Sequence, residues 1–354
     1  MTKAKDLQLV FNVLFLLSWS LMVAQQMPKV EIEEIIRDST LNVRALEVLQ
    51  GSSDCAFVTS NGHLGGIIDL SGKDAKSNYL INYPITVSDD SLKLNFRSLA
   101  ANQKTGFAMT IGNPALLYEL DADSSLLVYR EDHEKVFYDS MEFWNEEEGM
   151  AIGDPTDDCM SIIITRDAGE TWNKLDCALL PKALEGEAAF AASDTNIAIV
   201  GDHAWVATGG KRSRILYTPD KGKNWQVFNS PIIQGKETTG IYSIDFYDEF
   251  NGFGIGGDYT DPDDNSANKI RTSDGGKTWK LVKDGPGYRS CVQYVPGSEG
   301  RELVVVGFKG VDYSIDSGQT WEHLSDESFY TIRFINKTTA FAAGKGRVAK
   351  LTFE

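Results

Sequence analysis

Thr272-Ser273-Asp274-Gly275-Gly276-Lys277-Thr278-Trp279 recurs three more times along the chain, and that recurrence decides the fold. The other copies are Thr165-Arg166-Asp167-Ala168-Gly169-Glu170-Thr171-Trp172, Thr218-Pro219-Asp220-Lys221-Gly222-Lys223-Asn224-Trp225 and Ser314-Ile315-Asp316-Ser317-Gly318-Gln319-Thr320-Trp321. All four follow Ser/Thr-x-Asp-x-Gly-x-Thr/Asn-Trp, with tryptophans 53, 54 and 42 residues apart. Each interval holds one supersecondary unit, so the chain reads as a repeat array. Within the motif an Asp carboxylate can accept nearby backbone N–H groups, and Ser or Thr hydroxyls add local bonds. Gly takes a backbone conformation that other residues resist. The Trp opens an outer strand and packs its ring between neighbouring hairpins. Asp167, Trp172, Asp220, Trp225, Asp274, Trp279, Asp316 and Trp321 are therefore expected to be structural.

Outward from the motif the sequence divides into seven similar segments, each opening on an alternating strand. The openers are Val43–Val48, Phe96–Ala101, Tyr138–Phe143, Ala188–Ala192, Tyr242–Phe246, Cys291–Tyr294 and Tyr330–Phe334. Period-two alternation, short strands and regularly spaced turn signals predict an all-β protein. Segments of about 40–55 residues with four strands each have the size of propeller blades. The expectation is a single seven-bladed β-propeller over residues 27–354. Its blades fall roughly at 43–90, 91–134, 135–182, 183–235, 236–285, 286–326 and 327–354. The last is one strand short. Val30–Ile36 is expected to supply the missing strand, joining the two chain ends and protecting the sheet edges.

Composition bounds the rest. With 42% hydrophobic and 24% charged residues in 354, the chain is ordinary for a globular protein. Residues 1–24 follow the plan of a secretory signal peptide, with Lys3 and Lys5, an apolar run at Val10–Leu17, and Met22-Val23-Ala24. The apolar core is short for a spanning helix. The protein is thus predicted to be exported, to insert in no membrane once the signal is removed, and to act as a monomer. A net charge of −17 disfavours nucleic acid and anionic lipid as partners. Of the four cysteines, Cys159 precedes one copy of the motif and Cys177 follows it, so a hairpin would pair them as a disulfide. Cys55 and Cys291 lie in apolar strand patterns that suit buried thiols.

The repeated motif resembles the Asp-box, or BNR, repeat of sialidases, related secreted glycosidases and photosystem II assembly-factor propellers. Its copies span residues 165–321. The segments Gly186–Ser193 and Gly256–Tyr259 look like those of bacterial secreted BNR-repeat proteins. The resemblance implies that the Asp boxes lie on the face away from any active site. It also implies two functional alternatives. One is an exported propeller that binds a glycan or protein on its acidic loop face, with glycosidase-like activity. The other is a non-catalytic assembly or scaffold propeller.

Strands within a blade alternate in direction, so the turn after the first strand and the Asp-box turn share one face. The loops between second and third strands share the other, and rigidly mounted loops are where binding concentrates. This places Asp154, Asp202 and Asp258 in the candidate ligand site, where their carboxylates would also suit calcium or magnesium. No other cofactor is evident. Arg44, Arg97, Asp139, Glu187, Tyr242, Arg289 and Tyr330 open the inner strands and are expected to ring the same mouth. Arg44, Arg97 and Arg289, flanked by Tyr242 and Tyr330, would suit an anionic or sugar ligand. Sialidases also use an arginine trio, although Asn42-Val43-Arg44-Ala45-Leu46 lacks that family's Arg-Ile-Pro motif.

Glu187 and Asp139 are the candidate catalytic acids, each set against Asp202 or Asp258 across a glycosidic bond. The competing expectation is that these arginines and acids pair with one another around a wet channel. Other patterns carry no chemistry. Gly252–Gly257 fits G-x-G-x-x-G but lies inside a β pattern. His63, His133, His203 and His323 lack zinc spacing, and no G-x-S-x-G elbow occurs.

Overall fold

The computed structural model describes residues 27–49, 51–70, 78–86, 92–120 and 124–354; the candidate signal peptide lies outside the described residues. Among them no helix is long and apolar enough to cross a membrane. The described chain is all-β apart from a single 3-10 turn at Cys177–Leu179, and its strands collect into small antiparallel sheets.

The sheets repeat one four-strand order. Phe96–Ala101, Gly106–Thr110, Ala115–Leu120 and Ser125–Glu131 form one unit, and Tyr138–Phe143, Gly149–Gly153, Ser161–Thr165 and Asn173–Lys174 the next. Ile197–Val200, His203–Ala207, Arg214–Thr218 and Gln226–Asn229 follow, then Thr239–Phe246, Gly252–Asp258, Lys269–Thr272 and Lys280–Leu281. Cys291–Tyr294, Leu303–Gly307, Gly310–Ser314 and Glu322–Ser325 make a further unit. The long strand Val30–Val48 serves two neighbours. Its first half pairs with Lys345–Phe353, Val30 opposite Phe353, beyond Thr339–Ala343 and Thr331–Asn336. Its second half pairs with Cys55–Thr59, Val48 opposite Cys55, followed by His63–Asp69 and Tyr79–Thr86.

Middle strands such as Gly149–Gly153, Ser161–Thr165 and Leu303–Gly307 are buried at every residue, because sheets pack on both of their faces. The cores lie between consecutive units. Phe107 and Leu117 meet Met141, Phe143 and Ile163 in one; Ile152 and Ile162 meet Val206 and Leu216 in the next. Trp205 and Ile215 then meet Ile244 and Phe246, with Trp205 stacked on Phe246 at 3.7 Å between centroids.

The motif turns share one hydrogen-bonded plan around the Asp carboxylate, and all but the first add a tryptophan Nε1–H bond to the motif glycine carbonyl, Trp172 having no such partner. In the third copy the Thr278 N–H donates to Asp274 Oδ1 at 2.9 Å, and its hydroxyl donates to Oδ2 at 2.6 Å. The Gly276 N–H donates to Thr272 Oγ1 at 3.0 Å, and Trp279 Nε1–H to the Gly276 carbonyl at 2.9 Å. The turns at Asp167, Asp220 and Asp316 repeat the carboxylate contacts at position +4, from Thr171, Asn224 and Thr320. Gly169 shows why glycine is required. Its φ is +97°, and a Cβ there would lie 2.1 Å from the Phe107 ring of the preceding unit. The Asp carboxylates thus organise a turn that docks on the neighbouring sheet. Gly252–Gly257 is likewise structural, lying within the strand Gly252–Asp258.

Two sequence expectations meet different outcomes. Cys159 and Cys177 are joined by a disulfide, and Cys55 and Cys291 are buried free thiols. The opener Ala188–Ala192, by contrast, heads no four-strand unit of its own. Only Glu187–Ala188 is strand there, and it pairs with Gly209–Gly210. Ile197-Ala198-Ile199-Val200, with three β-branched residues, takes the first position instead, and residues 189–196 leave the sheet. That shift moves the turn 201–203 to the Asp-box face. Asp202 is corrected accordingly: its carbonyl accepts the Lys221 N–H at 2.9 Å, and its carboxylate lies 3.4 Å from Lys221 Nζ, inside a motif turn.

Candidate functional site

Residues Ala191–Thr195 lie where the first strands of the surrounding sheets converge, and they hydrogen-bond to those strands in turn. Asp194 Oδ2 accepts from the Leu99 N–H at 2.8 Å and Oδ1 from the Met141 N–H at 3.2 Å. The Thr195 carbonyl accepts from the Ile244 N–H at 2.8 Å, and the Ser193 hydroxyl donates to the Ser290 carbonyl at 2.6 Å. Thr331 Oγ1 donates to the Ser193 carbonyl and Arg333 Nη2 to the Asp194 carbonyl, at 2.9 and 3.0 Å. The insert takes the place of a strand partner for backbone groups that would otherwise be buried unpaired.

Two arginines sit on this insert. Arg44 Nη1 donates to the Ala192 carbonyl at 3.2 Å, and Arg97 Nη1 to the adjacent Ala191 carbonyl at 3.3 Å. The Arg44 guanidinium lies 4.2 Å from the centroid of the Tyr330 ring, a cation–π contact. Among the described residues neither arginine has a carboxylate within ion-pair distance, and Arg44 Nε is buried with no acceptor. Burial, and then the like charge of Arg44, lower the Arg97 pKa to about 10. Each guanidinium is held by neutral carbonyl oxygens without an ion pair, and Asp139 acts on Arg97 only from beyond ion-pair distance.

Aromatic rings adjoin the pair. Phe190 stacks on Tyr242 at 3.8 Å, and Tyr288 meets Tyr242 edge-on at 4.9 Å. Tyr259 and Phe308 flank Tyr288 and are exposed at 48% and 38%. The Arg44 charge acts on Tyr288, which connects the exposed rings of Tyr259 and Phe308 to the arginine pair as one amphipathic surface.

The remaining site candidates separate from this pair. Arg289 leaves the expected trio because its guanidinium is neutralised by Asp312 at 2.6 Å, in a buried ion pair. Glu187 is buried and fully engaged: Arg214 holds it at 2.6 and 3.0 Å, and the Thr208 hydroxyl and Leu184 N–H complete its shell. Tyr242 donates its hydroxyl to the Thr238 carbonyl at 2.9 Å. Asp139 is wholly buried; the Ala191 N–H approaches it without completing a bond, and neither carboxylate oxygen has a partner. Burial, and then Asp154, push its pKa well above the ordinary carboxylate range.

Asp154 accepts the Ala189 N–H at 2.8 Å, and burial raises its pKa to about 6. It lines an open groove of about 560 Å³ with Lys135, Asp157, Glu185 and Glu187. Asp258 is closed on itself, bonded to Thr260 and Lys236. Those bonds hold its pKa low against the upward push of burial. Asp154, Asp202 and Asp258 therefore do not converge. Among the described residues no group of three or more His, Cys, Asp or Glu side chains is arranged to hold a metal ion. Sequence reasoning missed the insert, Phe190, Tyr288 and Phe308. The run Ser193-Asp194-Thr195-Asn196 was the available signal, since such a cluster interrupts a strand pattern.

These acids set a pH dependence. Burial raises Asp139, Asp154, Asp194 and Asp245, the last two by desolvation that outweighs their hydrogen bonds. A carboxyl whose pKa rises on folding stabilises the fold below its unfolded pKa near 4, and that stability is lost as pH climbs through the folded value. The motif acids Asp167, Asp220, Asp274 and Asp316 act oppositely. Burial pushes them up, but hydrogen bonds bring them below their ordinary value, so their contribution is lost as pH falls under about 4. Thermal stability is expected to peak at about pH 4–5 and to decline toward pH 8. Melting curves that stay level or climb across pH 5–8 would contradict this.

No protein-family model and no curated protein matches the sequence. Solved structures do match in fold. YCF48 bound to D1 peptide superposes with a TM-score of 0.62 at 14% identity, over 94% of this chain and 99% of that one. The RRP9 WD40 repeats give 0.60 at 12% identity, over 93% and 99%. The Niastella koreensis GH74 enzyme gives 0.58 at 10% identity, over 90% of this chain and 53% of that one. The fold is that of a β-propeller.

Proposed function

We propose that this protein is a non-catalytic binding propeller that takes an anionic segment of a partner protein at Arg44 and Arg97. The observation that carries the reading is a contrast. Arg214, Arg289 and Arg333 each meet a carboxylate, whereas Arg44 and Arg97 stand side by side without one in a chain of net charge −17. Guanidiniums without an ion pair, with Tyr330 on Arg44 and exposed Tyr259 and Phe308 beyond Tyr288, match a carboxylate next to an apolar side chain. Glycosidase chemistry is not part of this reading, because Glu187 is committed to Arg214 and Asp139 is sealed from solvent.

The reading includes a single domain over 27–354 formed as a closed seven-bladed ring. Val30–Arg37 would complete the last blade, and the packing of Phe341 and Val348 against Val43 and Phe57 supports that closure. It further includes kinship with Asp-box propellers, supported by the four matching turns, and export after removal of residues 1–24. The Cys159–Cys177 disulfide suits an oxidising compartment. A library of random hexapeptides with free or amidated C termini tests the binding reading. Enrichment of carboxylate-bearing peptides with a neighbouring aromatic or aliphatic residue is expected. Enrichment of neutral or basic peptides, or turnover of a glycoside panel that Glu187→Gln abolishes, would overturn it.

A further inference from the structure

A second, larger groove lies on the opposite face, among the motif turns. It encloses about 1730 Å³, with Glu47 and Glu142 among its lining residues and Leu49, Leu64 and Ile68 providing apolar wall. Lys221 of a motif turn and Glu148 line it too, so it shares the face to which Asp202 was reassigned. Leu49 and Ile68 are each 40% exposed and line the same groove.

The charges in the groove do not balance. Glu47 is paired with Arg333 at 3.1 Å, and Glu146 and Glu148 with Lys104 and Lys221 at 3.7 and 2.6 Å. Glu142 has no ion pair among the described residues, and its carboxylate accepts only from the Phe143 N–H at 3.2 Å. The groups facing it are Glu47 from Val30–Val48, Asp245 from Thr239–Phe246 and Arg333 from Thr331–Asn336, with Asp194 of the insert near Glu47 and Arg333. One guanidinium, already bonded to Glu47 and to the Asp194 carbonyl, thus serves several carboxylates. Burial, and then Glu47, raise the Glu142 pKa to about 7. An arriving cation would restore its charge and displace its proton.

The geometry points to a second docking site in this groove, for a partner segment that places a lysine or arginine on Glu142 and apolar side chains on Leu49 and Ile68. The complementarity is specific to a basic occupant, since an acidic one would meet Glu47, Glu142 and Glu146 together. The site is separate from the Arg44–Arg97 surface and takes the opposite charge, so the two faces together would bridge unlike partners.

The probe is a fluorescein-labelled peptide of alternating Lys and Leu, titrated against the full chain by anisotropy at pH 8. Saturable binding is expected, weakened about ten-fold by Glu142→Gln and by the surface change Ile68→Lys. It should be unaffected by Arg44→Ala/Arg97→Ala. Calorimetry in buffers of different ionisation heat should show proton release near pH 7 in the wild type and none in Glu142→Gln. Asp157→Asn/Asp158→Asn, on the other face, controls for general negative charge. Equal weakening by that control, or full affinity in Ile68→Lys, would overturn the proposal. So would a dimer in sedimentation that Ile68→Lys dissolves, because the groove would then hold a second copy of the chain.

Discussion

Asp194→Ala is expected to destabilise the protein by about 3–5 kcal/mol. The Asp194 side chain accepts two backbone N–H groups, from Leu99 and Met141, on two different first strands. Removing it leaves both donors buried without a partner, at about 1–3 kcal/mol each. The residue also holds a φ of +60°, which alanine tolerates about 1 kcal/mol less well. For a domain of this size the loss corresponds to a fall in Tm of roughly 5–10 °C. Asp194→Asn keeps one acceptor oxygen but turns an amide NH2 toward the other N–H, so that variant should lose about half as much. The two variants remove two acceptors and one acceptor in turn, so the ratio of their losses reads the share of each hydrogen bond. An alanine variant that melts with the wild type would show that the insert contributes nothing to holding the inner strands together.

The second large effect concerns Glu187. As one half of a buried ion pair, its removal strands the Arg214 guanidinium, and Glu187→Ala is expected to cost about 3–5 kcal/mol. Replacing both partners, as in Glu187→Leu/Arg214→Leu, removes the uncompensated charge and should recover most of that loss. Urea denaturation of the two variants reads the difference directly. The result bears on function as well as on stability. If Glu187→Ala kept full stability, the residue would be free of the structural duty assigned to it, and a chemical role would have to be considered again. Equal losses in the single and double variants would mean that the pair matters for its shape and not for its charge.

The two faces of the site were not equally legible in the sequence. The turns were fully readable, because Asp274, Thr278 and Gly276 act within eight residues of one another and local spacing encodes their geometry. Strand openers with strong alternation, such as Phe96–Ala101 and Tyr138–Phe143, stand where their pattern put them. Ala188–Ala192 misled because its four alanines surround a single large residue, Phe190, and carry little strand preference, while the decisive partners of Ala191 and Ala192 are Arg97 and Arg44, some 94 and 148 residues away. The slip displaced one turn to the other face and took Asp202 with it.

Arginine roles were hidden for the same reason. Arg44, Arg97 and Arg289 are alike in local sequence, each at the mouth end of a first strand. What separates them is Asp312, which pairs Arg289 from the third strand of the same sheet, 23 residues on, while among the described residues no carboxylate lies within ion-pair distance of the other two. A single sequence shows charges but not which of them are already spent on one another.

The central claim is that Arg44 and Arg97 form a binding site for a carboxylate. Isothermal titration of Arg44→Ala/Arg97→Ala and wild type with one peptide, free or amidated at its C terminus, tests it most directly. The account predicts that amidation and the double substitution each weaken binding by about ten-fold or more, and that the two losses do not add. Additive losses, or a double variant that binds the free peptide as well as the wild type does, would contradict it.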